Sequence, residues 1–418
     1  MAISQAQFDV LVQALIQVGS LHAPADVLLK QFFRDRKALG ARDRSLVSDS
    51  VYIALRRSRT LAALVPGGEP RWMAFAVLAQ LRGFSMRDLE PLCRGTELEW
   101  LKALKARPAL PADLGLQAEL PDWVIEQLRA QYDDDEILAL GRALQQAGPL
   151  ELRVNTLKAR ADDAQGLLTA AGVASARMPY APNGLRAEGK PALQALPVFR
   201  DGLIEVQDEG SQLLGHLLAP RRGEMVVDFC AGAGGKTLLL GALMQNEGRL
   251  YAFDVSEKRL ANLKPRLKRS GLSNVHPVLI ASERDARVKR LAGKVDRVLV
   301  DAPCSGLGTL RRNPDLKQRQ HPDGVLELVQ KQEAILAAAA TLLKPGGLLV
   351  YATCSLLAAE NEARAEAFTA GHAGFVPEDC GGLLQHARIP LEMGRYLKLL
   401  PHRHGTDGFF AAAWRRQA

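Results

Sequence analysis

The amino-acid sequence predicts an α/β fold that follows a helical region and a small α+β module. From about residue 223 onward, apolar runs typical of buried strands alternate with segments of helical periodicity. This alternation implies a parallel sheet with helices on both faces. Up to about residue 140 the apolar side chains recur at helical spacing instead. We therefore predict a helical domain at 1–145, an α+β module at 146–218 and an α/β domain at 219–418.

The elements follow in this order along the chain. After the helices, alternating apolar and polar residues at 150–155 predict a half-buried strand, followed by a helix near 161–171 and a strand near 203–206. In the α/β part, strands are predicted at 225–229, 250–253, 275–280, 297–300 and 348–352. Helices are predicted between and after them at 237–245, 257–270, 324–343 and 359–370. The runs at 396–400 and 409–414 predict closing antiparallel strands.

Composition indicates a soluble, basic protein. The 418 residues are 47% hydrophobic, and no apolar run reaches the length of a membrane span. The formal net charge is +8 and the isoelectric point is about 9.3. A basic surface favours polyanions, of which nucleic acid is the commonest in the cytosol. Basic side chains are dense in the helical part at Arg34, Arg36, Lys37, Arg42, Arg44, Arg56, Arg57 and Arg59. Each alone is best interpreted as a solvated helix face, but their density favours a surface that contacts phosphates.

The cysteines and the N-terminus indicate a cytoplasmic location. Five widely spaced cysteines without a Cys-x-x-Cys pair are typical of a reducing compartment and provide neither a disulfide framework nor a zinc site. The first 20 residues have a helical pattern without a basic n-region, so they predict a helix and not a signal peptide. His402 and His404 lack a neighbouring thiol or carboxylate, and we interpret them as a polar loop. We expect a monomer with no bound metal and no membrane association.

A glycine-rich turn follows the first strand of the α/β part. Asp228 begins it and Thr237 lies in the helix that it opens, and the next strand ends at Asp254. Such a turn lets the backbone approach a ligand, and an acid about 20 residues later is placed to accept ribose hydroxyls. A P-loop would require glycine where Cys230 stands, and the six-position dinucleotide glycine pattern is not intact. A nucleoside-type cofactor without a pyrophosphate, such as S-adenosyl-L-methionine, fits better; the alternative is a purely structural turn. The predicted cofactor-binding residues are Cys230, Ala231, Gly232, Ala233, Gly234, Gly235, Lys236 and Asp254.

Two further strands each end next to a cysteine. The run 298–300 leads into Asp301 and Cys304, and the run 348–352 leads into Cys354. Parallel strands deliver such residues to the carboxyl edge of the sheet, where open α/β folds bind their ligands. A core strand requires neither a carboxylate nor a thiol at this position. Asp301, Cys304 and Cys354 are therefore the predicted catalytic residues, and Asp301 is also assigned to the cofactor set.

Three motifs resemble the signature of the RNA 5-methylcytosine methyltransferases of the Sun (Fmu) family. They are Asp-Ala-Pro-Cys-Ser-Gly-Leu-Gly-Thr at 301–309, Arg-Arg-Asn-Pro-Asp at 311–315 and Tyr-Ala-Thr-Cys-Ser at 351–355. The glycine turn also matches, except that Ala233 stands where many members have proline. The helical part is more loosely similar to the NusB-like domain of the bacterial small-subunit ribosomal RNA cytosine methyltransferase B type.

This resemblance implies a Rossmann-like methyltransferase domain that uses S-adenosyl-L-methionine and acts on RNA. It implies that Asp285 lies near the adenine and that Arg311, Arg312 and Asn313 belong to the active-site motif. We interpret Lys317 as part of an RNA-facing surface.

The implied chemistry explains why a thiol and a carboxylate are needed. Carbon 5 of cytosine is a poor nucleophile, so a thiolate must first add to carbon 6; carbon 5 then attacks the methyl group, and loss of its proton expels the cysteine. Addition also requires that ring nitrogen 3 is protonated or strongly hydrogen-bonded, for which Asp301 is placed. The cytosine must be unpaired or flipped, because carbon 6 is inaccessible in a stacked duplex.

The sequence leaves two candidates for the nucleophile. Pro303-Cys304 resembles the Pro-Cys nucleophile of DNA cytosine methyltransferases, and chemistry alone does not separate the two thiols. The family resemblance implies that Cys354 attacks and that Cys304 assists release of the product.

The predicted function is methyl transfer to carbon 5 of a cytosine in RNA, with 16S ribosomal RNA as the expected substrate. The alternatives are a transfer RNA cytosine methyltransferase and a catalytically silent RNA-binding factor of ribosome assembly. Intact Asp301, Cys304 and Cys354 argue against the silent factor. A DNA methyltransferase is disfavoured because no separate DNA-recognition domain follows the Pro-Cys motif.

Overall fold

A computed structural model describes residues 3–107, 110–111 and 113–417. The chain forms two compact units. The first contains the chain up to Ala147 together with Thr309–His321, and the second contains Gly148–Gly308 together with the chain from Pro322 onward. The division into three domains stays a prediction, and the return of 309–321 to the first unit was not foreseen.

The first unit is helical because its apolar residues recur at helical spacing and bury one face of each helix. Phe8, Leu11, Phe32 and Phe75 are fully buried in its core. Its first helix begins at a capping box formed by Ser4 and Gln7. The helices are α1 (Gln5–Gly19), α2 (Ala25–Arg34), α3 (Ala41–Arg56), α4 (Ser58–Leu64), α5 (Pro70–Ala76), α6 (Met86–Leu89), α7 (Glu97–Ala106), α8 (Leu114–Ala118), α9 (Asp122–Arg129) and α10 (Asp134–Leu144). A π-helical turn at Val77–Leu81 and a 3-10 turn at Glu90–Leu92 connect some of them.

The second unit begins with a four-stranded antiparallel sheet in the order β2-β3-β1-β4. Its strands are β1 (Leu150–Val154), β2 (Ser175–Arg177), β3 (Gly184–Ala187) and β4 (Ile204–Val206). The helices α11 (Ala161–Ala170) and α12 (Pro197–Arg200) belong to the same part of the chain. Leu152, Leu168, Leu185 and Ile204 are fully buried in a core of their own. The predicted α+β module is therefore present as a sheet with its own core.

The larger sheet has the order β10-β12-β9-β8-β5-β6-β7, and β11 pairs with β12. Its strands are β5 (Met225–Asp228), β6 (Arg249–Asp254), β7 (Val275–Leu279), β8 (Val295–Asp301), β9 (Leu343–Thr353), β10 (Phe375–Glu378), β11 (Leu397–Leu399) and β12 (Phe409–Arg416). The strands from β9 to β7 are parallel, and β10, β11 and β12 pair antiparallel. The predicted parallel sheet with closing antiparallel strands is confirmed.

The strands of the larger sheet are buried on both faces, as is typical of a parallel sheet that helices cover on both sides. The helices of this part of the chain are α13 (Glu209–Leu218), α14 (Gly235–Leu243), α15 (Glu257–Ser270), α16 (Ala286–Lys289), α17 (Leu316–Arg319), α18 (Pro322–Leu342), α19 (Glu362–Gly371), α20 (Cys380–His386) and α21 (Pro401–His404). Of these, α17 belongs to the first unit. None of the helices in the described ranges combines the length and apolar character that a membrane crossing requires.

The segment Thr309–His321 is held in the first unit by buried polar contacts. Asp315 accepts a hydrogen bond from the Ala25 backbone N–H at 3.3 Å, at the start of α2. Lys317 Nζ donates to the carbonyl oxygens of Arg56 and Glu119 at 2.6 and 2.9 Å. Buried polar groups require such partners, so these contacts fix the course of the segment.

Candidate active site

Two thiols meet at the carboxyl edge of the larger sheet. The Sγ atoms of Cys304 and Cys354 are 3.4 Å apart, and both side chains are half-buried. They converge because β8 and β9 are adjacent and parallel, with Asp301 opposite Ala352 in the register. A planar ring entering this edge could therefore contact both sulfur atoms.

The loops that carry the thiols are joined by backbone hydrogen bonds. The Gly308 N–H donates to the Cys354 carbonyl at 2.9 Å, and the Gly408 N–H donates to the Gly308 carbonyl at 2.8 Å. The approach is so close that a Cβ atom at position 308 would lie 2.9 Å from the Cys354 carbonyl oxygen. Glycine is thus required at 308 for three backbone segments to meet.

The Cys304 thiol holds its proton tightly. The hydrogen bond to Cys354 and burial raise the pKa of the Cys304 thiol well above its usual value. Cys304 therefore stays protonated at neutral pH and can donate to the neighbouring sulfur. A protonated thiol beside a second sulfur atom can act as a proton source while that sulfur acts as a nucleophile.

Asp301 forms an ion pair with Lys236, the second residue of α14. Their Oδ2 and Nζ atoms are 2.7 Å apart, and the side chains of Lys236 and Asp301 are 12% and 27% exposed. Burial opposes the charge of Lys236, but the Asp301 carboxylate outweighs it, so the pKa of Lys236 is raised. The pair therefore carries a firmly held proton at the end of β8.

The glycine-rich turn lies between β5 and α14, as its sequence requires. Gly232 and Gly234 have φ angles of +58° and +85°, and a Cβ atom at 234 would run into the Leu263 side chain. Asp254, at the end of β6, accepts hydrogen bonds from the backbone N–H groups of Gly232 and Ser256 at 2.8 and 2.7 Å. The carboxylate thus fixes the turn against the neighbouring strand.

Comparisons with known proteins show the family of this chain. The family model described as 16S rRNA methyltransferase RsmB/F matches residues 215–415, and an RsmF/B-like ferredoxin-like domain model matches residues 120–194. A probable ribosomal RNA small subunit methyltransferase B from Synechocystis sp. is 38% identical over 300 residues, which are 72% of this chain and 67% of the relative. The chain belongs to the RsmB/F family of ribosomal RNA methyltransferases. The resemblance to the Sun family is therefore confirmed.

Two further comparisons extend over the whole chain. A probable ribosomal RNA small subunit methyltransferase B from Bacillus subtilis is 28% identical over 454 aligned residues. The alignment covers 98% of this chain and 98% of the relative. The crystal structure of PH0851 has a TM-score of 0.83 and 27% identity, with both chains covered completely. The predicted fold class is confirmed, and RNA methylation is the activity of this family member.

Asp228 is a buried acid of this RsmB/F methyltransferase, and its sequence position predicts only that it begins the turn. Thr237 Oγ1 donates to its Oδ2 at 2.7 Å. Burial raises the pKa of Asp228 to about 7. Cys230, two residues later, has its thiol pKa raised well above the usual value by burial, so it is protonated and poorly reactive at neutral pH.

Asp285 organises the loop after β7. Its carboxylate accepts hydrogen bonds from the backbone N–H groups of Ala281 and Arg287, both at 2.8 Å, and these bonds lower its pKa. Its contact with an adenine stays a prediction. The described part of the chain holds no group of three or more His, Cys, Asp or Glu side chains that could hold a metal ion.

Several basic residues that were predicted to face RNA contact the protein itself. Lys317 is only 6% exposed and lies 3.8 Å from the Glu119 carboxylate, so its assignment to an RNA-facing surface was wrong. Burial lowers its pKa to about 8. Arg56 donates to the Arg311 carbonyl at 2.9 Å, and Arg59 donates to the Leu120 carbonyl at 2.8 Å. The active-site role of the Arg311 segment stays a prediction.

Two residues near the site were missed in the sequence. Arg266 Nη1 donates to the Ala233 carbonyl at 2.7 Å and pairs with the buried Glu205 at 3.0 Å, so it holds the turn from outside. In a helix as basic as α15 nothing distinguishes it from a solvated arginine. Glu360 lies beneath the two cysteine loops and is fully buried. In the sequence, Glu360 is only an acid six residues after Cys354. An acid at this position is explained more simply by the start of the predicted helix.

Proposed function

We propose that this chain transfers a methyl group from S-adenosyl-L-methionine to carbon 5 of a cytosine in 16S ribosomal RNA, through a covalent adduct with Cys354. The observation that carries the proposal is the pair of sulfur atoms 3.4 Å apart at the edge of the sheet that also bears Asp301. Cysteine-dependent methylation of carbon 5 requires a nucleophile, a proton donor near the ring and a cofactor turn. Each has a counterpart among these residues.

The residues at the turn fit S-adenosyl-L-methionine. A Cβ atom at Gly232 would meet nothing within 4 Å, so the backbone there is open to a ligand, and the start of α14 offers N–H groups beside it. Each oxygen of Asp254 accepts one N–H, which leaves lone pairs for ribose hydroxyls. We assign the cofactor to residues 230–236, Asp254, Asp285 and Asp301. When bound, it supplies an electrophilic methyl group on a sulfonium sulfur.

Each catalytic group then has one task. The Cys354 sulfur forms a bond to carbon 6 of cytosine, and the electrons of the 5,6 double bond move to carbon 5. The proton held between Lys236 and Asp301 stabilises ring nitrogen 3 as the electrons shift. Carbon 5 would then form its bond to the methyl group while the bond between that methyl group and the sulfonium sulfur breaks, and the electron pair of the broken bond would stay on the departing thioether. A base removes the proton on carbon 5, the bond from carbon 6 to sulfur breaks, and Cys354 leaves as a thiolate.

The pKa of Cys304 supports one assignment of the two thiols. The hydrogen bond to Cys354 and burial raise the pKa of Cys304, so Cys304 keeps its proton and is a poor choice for the attacking thiolate. We therefore assign the attack to Cys354 and the release of the methylated product to Cys304, whose proton can pass to the Cys354 thiolate once the bond to carbon 6 has broken.

Transfer of tritiated methyl groups to purified RNA tests this proposal. We expect label in 16S ribosomal RNA and bisulfite-resistant cytosine at the labelled position. Label confined to transfer RNA would move the substrate to the transfer RNA alternative. Binding of the cofactor without transfer to any RNA pool would favour a silent assembly factor and refute the proposal.

A further inference from the structure

The Glu360 carboxylate links the two loops that carry Cys304 and Cys354. Each catalytic cysteine is followed by a serine, and the hydroxyls of Ser305 and Ser355 both donate to Glu360 Oε2. The Ser305 backbone N–H donates to Glu360 Oε1 at 2.9 Å. The two hydroxyl oxygens are themselves 3.1 Å apart. One side chain therefore fixes the residues directly after Cys304 and Cys354.

Glu360 is itself rigidly held. Gln332 Nε2 donates to Glu360 Oε1 at 3.0 Å and to the Pro303 carbonyl at 2.9 Å. Tyr351 Oη donates to the Glu360 carbonyl at 2.6 Å. Glu360, Gln332 and Tyr351 are fully buried. Rotamers locked by packing and by such outer hydrogen bonds are what hold a reacting group in place.

We propose that Glu360 is a positioning residue that holds the Cys304 and Cys354 sulfur atoms side by side by accepting hydrogen bonds from both cysteine loops. The inference rests on the proposed function for its catalytic consequence, but not for its geometry. Glu360 acts through Ser305 and Ser355 and takes no part in bond making.

The chemistry of the acceptor explains why a carboxylate stands at this position. Four donors converge on two oxygens, namely two hydroxyls, one backbone N–H and one amide. An ionised carboxylate accepts all four, whereas a glutamine would turn an N–H₂ group toward some of these donors. The negative charge also adds to the causes that keep Cys304 protonated, after the Cys354 hydrogen bond and burial.

Disulfide formation with diamide tests the geometry without RNA or cofactor. In the wild-type protein we expect rapid, selective oxidation of Cys304 with Cys354, read by peptide mapping under non-reducing conditions. In Glu360→Gln we expect this rate to fall about tenfold or more, because the effective molarity of the two thiols drops when their loops loosen. The Ser305→Ala and Ser355→Ala variants, which each remove one donor, are expected to show smaller decreases.

A second readout links the geometry to the reaction. In Glu360→Gln, kcat is expected to fall about 10- to 100-fold because small displacements of reacting groups are this costly. KM for S-adenosyl-L-methionine is expected to stay unchanged, since the hydrogen bonds of Glu360 join it to Ser305, Ser355, Gln332 and Tyr351. The matched control is Glu209→Gln, a fully buried acid that accepts backbone N–H groups of Tyr180 and Ala181. The Glu209→Gln variant should form the disulfide between Cys304 and Cys354 at the wild-type rate.

The outcomes separate the two proposals. Wild-type oxidation rates in Glu360→Gln and in both serine variants would overturn the positioning role, as would a wild-type protein whose thiol pair does not oxidise. An equal loss in Glu209→Gln would also overturn it, since the effect would then be general destabilisation. A slowed oxidation in Glu360→Gln together with a wild-type protein that methylates no cytosine would preserve the positioning role and refute the proposed function.

Discussion

Alanine at position 308 is expected to displace the Cys354 loop while leaving the fold intact. A Cβ atom there would lie 2.9 Å from the Cys354 carbonyl oxygen, 2.8 Å from the Gly408 carbonyl carbon and nearer still to the Gly408 oxygen. All these atoms belong to the backbone, so no side chain can rotate away. Restoring ordinary contacts requires a backbone shift of about 1 Å.

The magnitude follows from this shift. Overpacking of this kind destabilises a protein by about 1–3 kcal/mol. In a unit of more than 150 residues each kcal/mol lowers Tm by about 2–4 °C. A displacement of about 1 Å at a reacting group reduces the rate about 100-fold. Gly308→Ala should therefore show a kcat loss of about 10- to 100-fold with a Tm only a few degrees lower.

Calorimetry and methyl-transfer kinetics on the same preparation measure both effects. The matched control is Gly324→Ala in α18, where a Cβ atom would meet nothing within 4 Å. Alanine there should be neutral or stabilising by at most about 1 kcal/mol, with wild-type kcat. A Gly308→Ala protein with wild-type kcat would refute the claim that this crossing sets the position of Cys354.

Three further predictions concern other parts of the molecule. Because folding raises the pKa of Asp228 to about 7, the folded state keeps a proton that the unfolded chain releases above about pH 4, and stability falls between these values. Asp228→Asn should therefore gain about 2–3 kcal/mol more over wild type at pH 8 than at pH 5 in urea unfolding; equal differences would contradict this. Asp254→Asn should raise Kd for S-adenosyl-L-methionine about 10- to 100-fold in calorimetric titration, because one backbone N–H loses a charged acceptor; an unchanged Kd would exclude its role. Lys317→Ala should speed tryptic cleavage after Arg312, since the buried contacts of segment 309–321 are lost, and unchanged cleavage would contradict that anchoring.

The sequence allowed the fold class and the strands to be predicted, but not the way in which the segments pair. The buried part of β8 at 298–300 is a continuous apolar run, and its end is marked by the polar residue Asp301. The order that places β5 between β8 and β6 depends on crossover connections, which a single sequence does not specify. The return of 309–321 to the helical unit depends on buried polar contacts. A charge such as that of Lys317 is normally exposed, and here the carbonyl oxygens of Arg56 and Glu119 together with the Glu119 carboxylate reverse that expectation.

The sequence allowed the site residues to be placed at the ends of their strands, but not their geometry. Cys304 and Cys354 were expected at one sheet edge, and the parallel pairing of β8 with β9 explains why they meet there. Their separation of 3.4 Å, the proton held by Cys304 and the carboxylate of Glu360 beneath them arise from tertiary packing. Glu360 carries no motif that identifies it before the loops are brought together.

Covalent trapping on RNA that contains 5-fluorocytosine tests the central claim most directly, because fluorine at carbon 5 blocks release of the adduct. We predict that Cys354→Ala neither methylates nor traps this RNA, whereas Cys304→Ala accumulates a stalled adduct even on unmodified RNA. Trapping by Cys354→Ala together with its loss in Cys304→Ala would exchange the two roles and contradict the assignment of Cys354 as the nucleophile.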